Sequence, residues 1–287
     1  MQIPGYTIHS KIAEGGCAQI FAGTEVSTSR HVAIKILHAR NLSNKVELKR
    51  LTDEGALGLK LKHDNLVRTY ATGMSGNLPY IVLEYIKGRM LRDLIADKYL
   101  LGNVETLILA KSLCHAIRYL HDANVIHKDI KPDNIMIGDR GEVKLLDLGF
   151  AEVPVKGFSL FGSGAKRLDG SPAYMAPELL LTKKASFATD VYGIGCTLYE
   201  ACTGFTPFQG MSDAETLQRQ TNMKLPASPV TTTNKRISSL TEKLILRAIQ
   251  KDINLRYKSV DEMMLGLARN PASNDPKSSN RLAPVTA

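Results

Sequence analysis

Tryptophan is absent from this chain of 287 residues, and all aromatic residues together make up only 6% of it. Its core must therefore rest on Leu, Ile, Val and Ala. Cysteine is scarce as well. Cys17, Cys114, Cys196 and Cys202 show neither C-x-x-C nor zinc-ligand spacing, so they read as four free thiols of a reducing compartment. Cys17 reads as a small filler in a glycine-bearing loop rather than a redox centre. No apolar run approaches the ~18–20 residues of a spanning helix. The start, Met1-Gln2-Ile3-Pro4-Gly5, has neither the basic nor the apolar region of a signal peptide. These absences point to a cytoplasmic protein, or the cytosolic portion of a longer one, with no membrane segment in this chain. The G-x-x-x-x-G-K-[ST] pattern is also missing, which excludes a P-loop ATPase.

What is present is ordinary for a globular domain: 44% hydrophobic and 23% charged residues. The net charge is +9, from 37 Lys and Arg against 28 Asp and Glu. The densest basic group, Lys45, Lys49, Arg50, Lys60 and Lys62, is spread along one apparent helix without interleaved aromatics. That is a solvated face, and no nucleic-acid role is expected.

The chain changes character near Gly88. Before it, Tyr6–Glu14 and Ala18–Thr24 flank a glycine turn, His31–Leu37 is a short apolar strand, and Asn65–Ala71 and Pro79–Tyr85 read as two more. A helix over Asn44–Lys62 is predicted from apolar residues at helical spacing. After it come a long amphipathic helix over Val104–His121, short strands at Ile135–Ile137 and Val143–Leu146, and helices over Ala188–Thr203, Ala214–Thr221, Ser239–Gln250 and Val260–Ala268. The expected architecture is α+β and bilobal: a small β-rich lobe over 1–83, a hinge at 84–87, a mainly helical lobe over 88–270, and a disordered tail over 271–287. Ligands favour the crevice between two such bodies.

Three stretches carry chemistry. In Val32-Ala33-Ile34-Lys35, strand alternation puts Ala33 and Lys35 on one face, a small residue beside a cation. A buried lysine needs a counter-charge. The helix offers Glu54, with Glu47 and Asp53 as rivals; its spacing to His63 favours Glu54. In His127-Lys128-Asp129-Ile130-Lys131-Pro132-Asp133-Asn134, one tight loop holds an acid, a cation and an amide. Asp129 suits the acceptance of a hydroxyl proton, Lys131 the stabilisation of phosphoryl charge, and Asn134 the ligation of a hard cation. Thirteen residues beyond Asn134, Asp147-Leu148-Gly149 puts a carboxylate at a strand end, placed to hold Mg²⁺ between phosphates.

These stretches resemble the protein kinase superfamily, specifically the eukaryotic-like serine/threonine kinases also found in bacteria, over about residues 6–268. HKDIKPDN is similar to the family's H-R-D-L-K-P-x-N loop, VAIK matches, DLG stands for D-F-G, and Ala176-Pro177-Glu178 is the A-P-E. Asp190 resembles the family's buried aspartate at a helix start, and Arg256 the arginine that pairs with the A-P-E glutamate. The resemblance implies a bilobal kinase fold and phosphoryl transfer from ATP to Ser or Thr of a protein substrate, the chain itself included. Mg²⁺ is the implied metal, with Mn²⁺ as its alternative. It implies that Lys35 contacts the α/β-phosphates and pairs with Glu54, that Asp129 is the base, and that Asn134 and Asp147 bind the metal. It further implies that Ile12, Gly15 and Gly16 cover the nucleotide and that Ile20, Ala33 and Met136 sandwich adenine. Glu84 and Ile86 would hydrogen-bond the base through the backbone, with Leu83 as gatekeeper. Lys131 followed by Pro132, together with Ser171, implies Ser/Thr rather than Tyr as acceptor.

The chain departs from the family in several places. Ala13-Glu14-Gly15-Gly16-Cys17-Ala18 keeps only the central glycine of G-x-G-x-x-G, so a stiffer loop and weaker ATP binding are expected. Lys128 replaces an arginine that grips an activation-segment phosphate, and lysine lacks the bidentate fork. Ser159 and Ser163 are the phosphosite candidates, Ser171 having a structural role, and weak dependence on phosphorylation is expected. Gly58, four residues after Glu54, is expected to leave a gap behind the Lys35–Glu54 pair. The basic residues Lys87, Arg89 and Arg92 are expected to disfavour arginine-rich substrates. Two alternatives stand beside the main reading: a pseudokinase or weakly active scaffold, and a small-molecule phosphotransferase. Nothing in the pattern speaks to oligomeric state.

Overall fold

Alternating apolar residues in the first third of the chain build five strands: β1 (Tyr6–Glu14), β2 (Ala18–Glu25), β3 (His31–Leu37), β4 (Thr69–Ser75) and β5 (Leu78–Glu84). They form one antiparallel sheet in the order β1-β2-β3-β5-β4. The computed structural model describes residues 2–154, 171–274 and 282. It divides into two units: Met1–Lys87 with Asp147–Gly149, and Gly88–Leu146 with Phe150–Ala287.

In the first unit, β3 is buried on both faces, which accounts for an apolar run interrupted only by Lys35 after His31. One face packs Val32, Ile34 and Ile36 with Tyr80, Val82 and Ile3. The other carries Leu37 and Ile81 against Leu48 and Leu51 of α1 (Lys45–Gly58). Asn44 caps α1 by accepting from the N–H groups of Val46 and Glu47. The helix is shorter than the expected 44–62: Leu61 is still buried, but in the turn that follows. β4 begins four residues later than expected, because the Ser75–Leu78 turn, with Gly76 at φ +59°, fixes its pairing with β5.

Gly58 leaves no gap. A Cβ there would meet Thr69 Oγ1 at 2.3 Å, and one at Gly55 would meet Thr72 Cγ2 at 2.6 Å. Both glycines let α1 lie directly on β4, so the expected space behind the ion pair is already filled by Thr69, which is buried.

The second unit is built on α3 (Asn103–Asp122) and α5 (Phe187–Thr203). α5 is buried from Ala188 to Thr203; its two carboxylates, Asp190 and Glu200, are buried with hydrogen-bond partners. Around them lie α2 (Leu91–Ala96), α4 (Pro177–Thr182), α6 (Asp213–Thr221), α7 (Val230–Thr233), α8 (Ser239–Ala248) and α9 (Val260–Ala268). A small sheet joins β6 (Gly88–Met90), β7 (Ile135–Gly138) and β8 (Val143–Leu145). The short helices α2, α4 and α7 escape any reading based on periodicity.

The tail expected to be disordered from Pro271 is ordered in part. Pro271–Asn274 forms a 3₁₀ turn, and Leu282 is buried, its N–H donating to Gly141 O at 2.9 Å. An apolar side chain with a place to be buried accounts for the difference. Ser159 and Ser163 lie outside the described residues. Among the described residues no helix is long and apolar enough to cross a membrane.

Candidate active site

The first unit assembles an ion cluster. β3 presents Ala33 and Lys35 on the face covered by α1, and directly paired residues put Ile20 opposite Lys35 and Leu83 opposite Ala33 on that face. Lys35 Nζ lies 2.8 Å from both Glu54 carboxylate oxygens and 3.0 Å from Asp147 Oδ2. Of the three helix acids it is Glu54 that meets Lys35; Glu47 pairs with Arg50 and Asp53 with Lys49. Burial works against the Lys35 ammonium, but Asp147 and Glu54 outweigh it and hold its pKa above the ordinary lysine value. Burial pushes Glu54 up to about 7; Lys35 opposes this shift and the Asp147 charge adds to it. Asp147 sits at φ +50°, and its Oδ1 accepts from the Gly149 N–H at 2.8 Å.

The loop between β1 and β2 is tied down. His38 hydrogen-bonds Gly15 O (2.9 Å), Arg40 donates to Gly16 O (3.3 Å) and Asn41 to Cys17 O (3.1 Å). These holds add to the stiffness expected from Ala13 and Ala18, which are strand residues paired with Ile20 and Leu37. Ile12 falls in the register irregularity between Lys11 and Ala13 and is 47% exposed. Burial, with a Glu47 hydrogen bond, pushes the Cys17 thiol up to about 11, so at neutral pH it is no reactive thiolate. Glu84 ends β5 opposite Val32 and exchanges hydrogen bonds with Arg68, and Ile86 follows in the irregular stretch 85–87.

The second unit holds the loop 127–134. Asp190, in the first turn of α5, accepts from the N–H groups of His127 (2.9 Å) and Lys128 (2.8 Å) and from His121 Nε2 (2.8 Å). One fully buried carboxylate thereby shapes the loop from beneath. On the loop, Lys131 Nζ lies 2.8 Å from Asp129 Oδ2 and 3.3 Å from Ser171 Oγ. Asn134 Nδ2 donates to Asp129 Oδ2 and to its backbone O, both at 2.8 Å. With its nitrogen so used, the Asn134 amide keeps Oδ1 as its remaining ligand atom. Met136, on β7, pairs with Met90 and Lys144 and is half-buried.

Lys128 pairs with Glu152 Oε2 at 2.9 Å, so its charge is met by a carboxylate of the chain itself. Arg256, wholly buried, forks onto both oxygens of Glu178 at 2.8 and 3.0 Å. The sequence reading missed the network of Arg92: its guanidinium bonds Asp133 (2.9 Å), Glu200 (2.6 Å) and the Tyr174 hydroxyl (2.5 Å). Arg92 and Glu200 are separated by 108 residues, and no local pattern announces the pair.

The oxygen donors Asn134 Oδ1 and the Asp147 carboxylate are of the type Mg²⁺ takes, and among the described residues no three His, Cys, Asp or Glu gather into a self-sufficient metal site. Mg²⁺ ordinarily needs only one or two such ligands, with phosphates and water supplying the rest.

The sequence matches the protein kinase domain over residues 6–265. It is 32% identical over 278 residues to a probable serine/threonine-protein kinase of Corynebacterium efficiens, covering 93% of this chain and 42% of that protein. It is 33% identical over 207 residues to the serine/threonine-protein kinase PknL of Mycobacterium tuberculosis, covering 72% of this chain and 51% of that protein. With the serine/threonine-protein kinase PknB of Mycobacterium leprae it shares 29% over 276 residues, 95% of this chain and 44% of the relative. The chain therefore spans about half or less of the length of these relatives. By the extent of the family match, the chain belongs to the protein kinase domain family.

Proposed function

We propose that this chain transfers the γ-phosphoryl group of ATP to Ser or Thr hydroxyls of proteins. The observation that carries this reading is the state of Asp129: a buried carboxylate fixed between Lys131 and Asn134, with Ser171 on the same lysine. Asp129 accepts the proton of the acceptor hydroxyl, and Lys131 meets the charge that develops on the transferring group. Lys35, held by Glu54, binds the α/β-phosphates. Ile20, Ala33 and Met136 enclose adenine, Glu84 and Ile86 bond it through the backbone, Leu83 borders it, and Ile12, Gly15 and Gly16 cover the phosphates. Asn134 and Asp147 would hold Mg²⁺ or Mn²⁺, which would supply positive charge against the phosphates. The names of the relatives support Ser/Thr as acceptor.

The Lys128–Glu152 pair supports an activity that does not wait for a phosphate on the segment after Asp147. Phosphatase treatment that abolishes turnover would refute this part. Four free thiols agree with a reducing, cytoplasmic setting.

The test is mass spectrometry after incubation with Mg-ATP and a protein substrate, with Asp129→Asn in parallel. Phosphate on Ser or Thr with the wild type alone is the expected result. Equal transfer by Asp129→Asn, or none by the wild type, refutes the proposal.

A further inference from the structure

Gln220, near the end of α6, is wholly buried, and a buried amide must place two N–H groups and an oxygen. Its Nε2 donates to the carbonyls of Pro172 (3.3 Å) and Ala173 (2.6 Å), while its oxygen accepts from the Tyr192 hydroxyl of α5. Residues 172–174 form a single 3₁₀ turn, too short to hold itself. Its own bonds are Tyr174 N–H to Ser171 O (3.0 Å) and Met175 N–H to Pro172 O (3.2 Å).

Both ends of this turn are joined to the loop that carries Asp129. Ser171 meets Lys131, which meets Asp129; Tyr174 meets Arg92, which meets Asp133. Gln220 grips the middle from a different element. That element has an anchor of its own: Lys251 Nζ donates to the carbonyls of Arg219 (2.6 Å), Asn222 (2.8 Å) and Leu225 (2.7 Å) at the end of α6, beneath the Phe208 ring. Ser171, Pro172 and Ala173 are small and half-exposed, and Ser171 Oγ lies 3.3 Å from Lys131 Nζ.

We infer that Gln220 is a positioning residue for the protein acceptor. Through the Pro172–Tyr174 turn it sets the surface on which a Ser/Thr peptide lies as its hydroxyl approaches Asp129. It has no part in holding the nucleotide. The inference rests on the kinase reading above and deepens it.

The test compares wild type, Gln220→Met and Tyr192→Phe as the full chain. Methionine keeps the length of the side chain and removes all three bonds; Tyr192→Phe removes only the bond to Oε1 and serves if Gln220→Met does not fold. Each protein is assayed by amide hydrogen exchange at Tyr174 and Met175, by peptide and ATP KM, and by ATP hydrolysis without peptide. For Gln220→Met, exchange about ten-fold faster and a peptide KM about ten-fold higher are expected, with ATP KM and peptide-free hydrolysis within about two-fold. Tyr192→Phe moves the same two readouts in the same direction by a smaller factor. Unchanged exchange, an unchanged peptide KM, or an ATP KM that rises in parallel overturns the inference. A wild type that phosphorylates no peptide overturns the kinase reading and this inference with it, whereas an active wild type with an unmoved peptide KM in the variants overturns this inference alone.

Discussion

Two carboxylate sites in this chain are settled in opposite ways. In the first unit, Lys35 bonds two carboxylates, Glu54 and Asp147, and burial together with the Asp147 charge pushes the Glu54 pKa up to about 7. In the second, one cation faces one carboxylate, and the amide of Asn134 makes two further bonds to Asp129. The first cluster places two carboxylates on one buried ammonium, so its charge state answers to pH. The second is balanced and is suited to hold a direction. Sensitivity to pH should therefore concentrate at Glu54, and sensitivity to shape at Asp129.

The largest effect should come from Asp129→Asn, which keeps the shape and removes the base. Peptide phosphorylation should fall by about 10²–10⁴-fold while ATP affinity stays nearly constant. A loss of less than about ten-fold would break the comparison, since Asp129 would then not act as the base.

Next comes the pH profile. Glu54 is ionised above its pKa, so kcat/KM should fall as pH is lowered through about 7, where Glu54 takes a proton and its pairing with Lys35 weakens. Glu54→Gln should be roughly ten-fold less active at high pH and should lose this acid limb. The linkage has the opposite sign for stability. Glu54 folded binds its proton more tightly than an ordinary glutamate at 4.5, so its stabilising contribution is full below that value and is lost as pH rises to about 7. Chemical denaturation of wild type and Glu54→Gln at several pH values measures that difference; an identical pH dependence in both would assign the charge strain elsewhere.

A smaller effect separates packing from charge. Gly58→Ala, at the last residue of α1, gains less than the ~1 kcal/mol of helix propensity of an interior position but drives a methyl into Thr69, and should lower stability by a net ~1–2 kcal/mol in urea unfolding. A stabilised variant would show that Thr69 can yield. The smallest effect is expected from Ala13→Gly with Ala18→Gly: ATP Kd should improve by no more than about five-fold, near 1 kcal/mol, as measured by calorimetry. The modest figure reflects the three holds on the carbonyls of residues 15–17, which these substitutions leave in place.

What the sequence made legible was whatever lies close along the chain or obeys a period. Lys35 and Ala33 share a face because strands alternate, and the Asp129, Lys131 and Asn134 group sits within one short loop. Glu54 was legible by its spacing on a helix. Thr69 behind Gly58 was not, because that contact depends on the β4 register, which a single turn at Gly76 decides. Arg92, Glu200, Gln220 and Lys251 were hidden for another reason. Each is a polar residue whose partners are backbone carbonyls or distant side chains, and neither leaves a mark on hydrophobic patterning.

The two bare contacts of α1 on β4 have a mechanical meaning. Where Gly55 and Gly58 rest on Thr72 and Thr69, helix and strand are keyed together with nothing compressible between them. Glu54 stands on that keyed joint, so it cannot be rolled off Lys35 unless the strand is pried up as well, and any regulator acting on this glutamate has to work as a lever on the edge of the sheet.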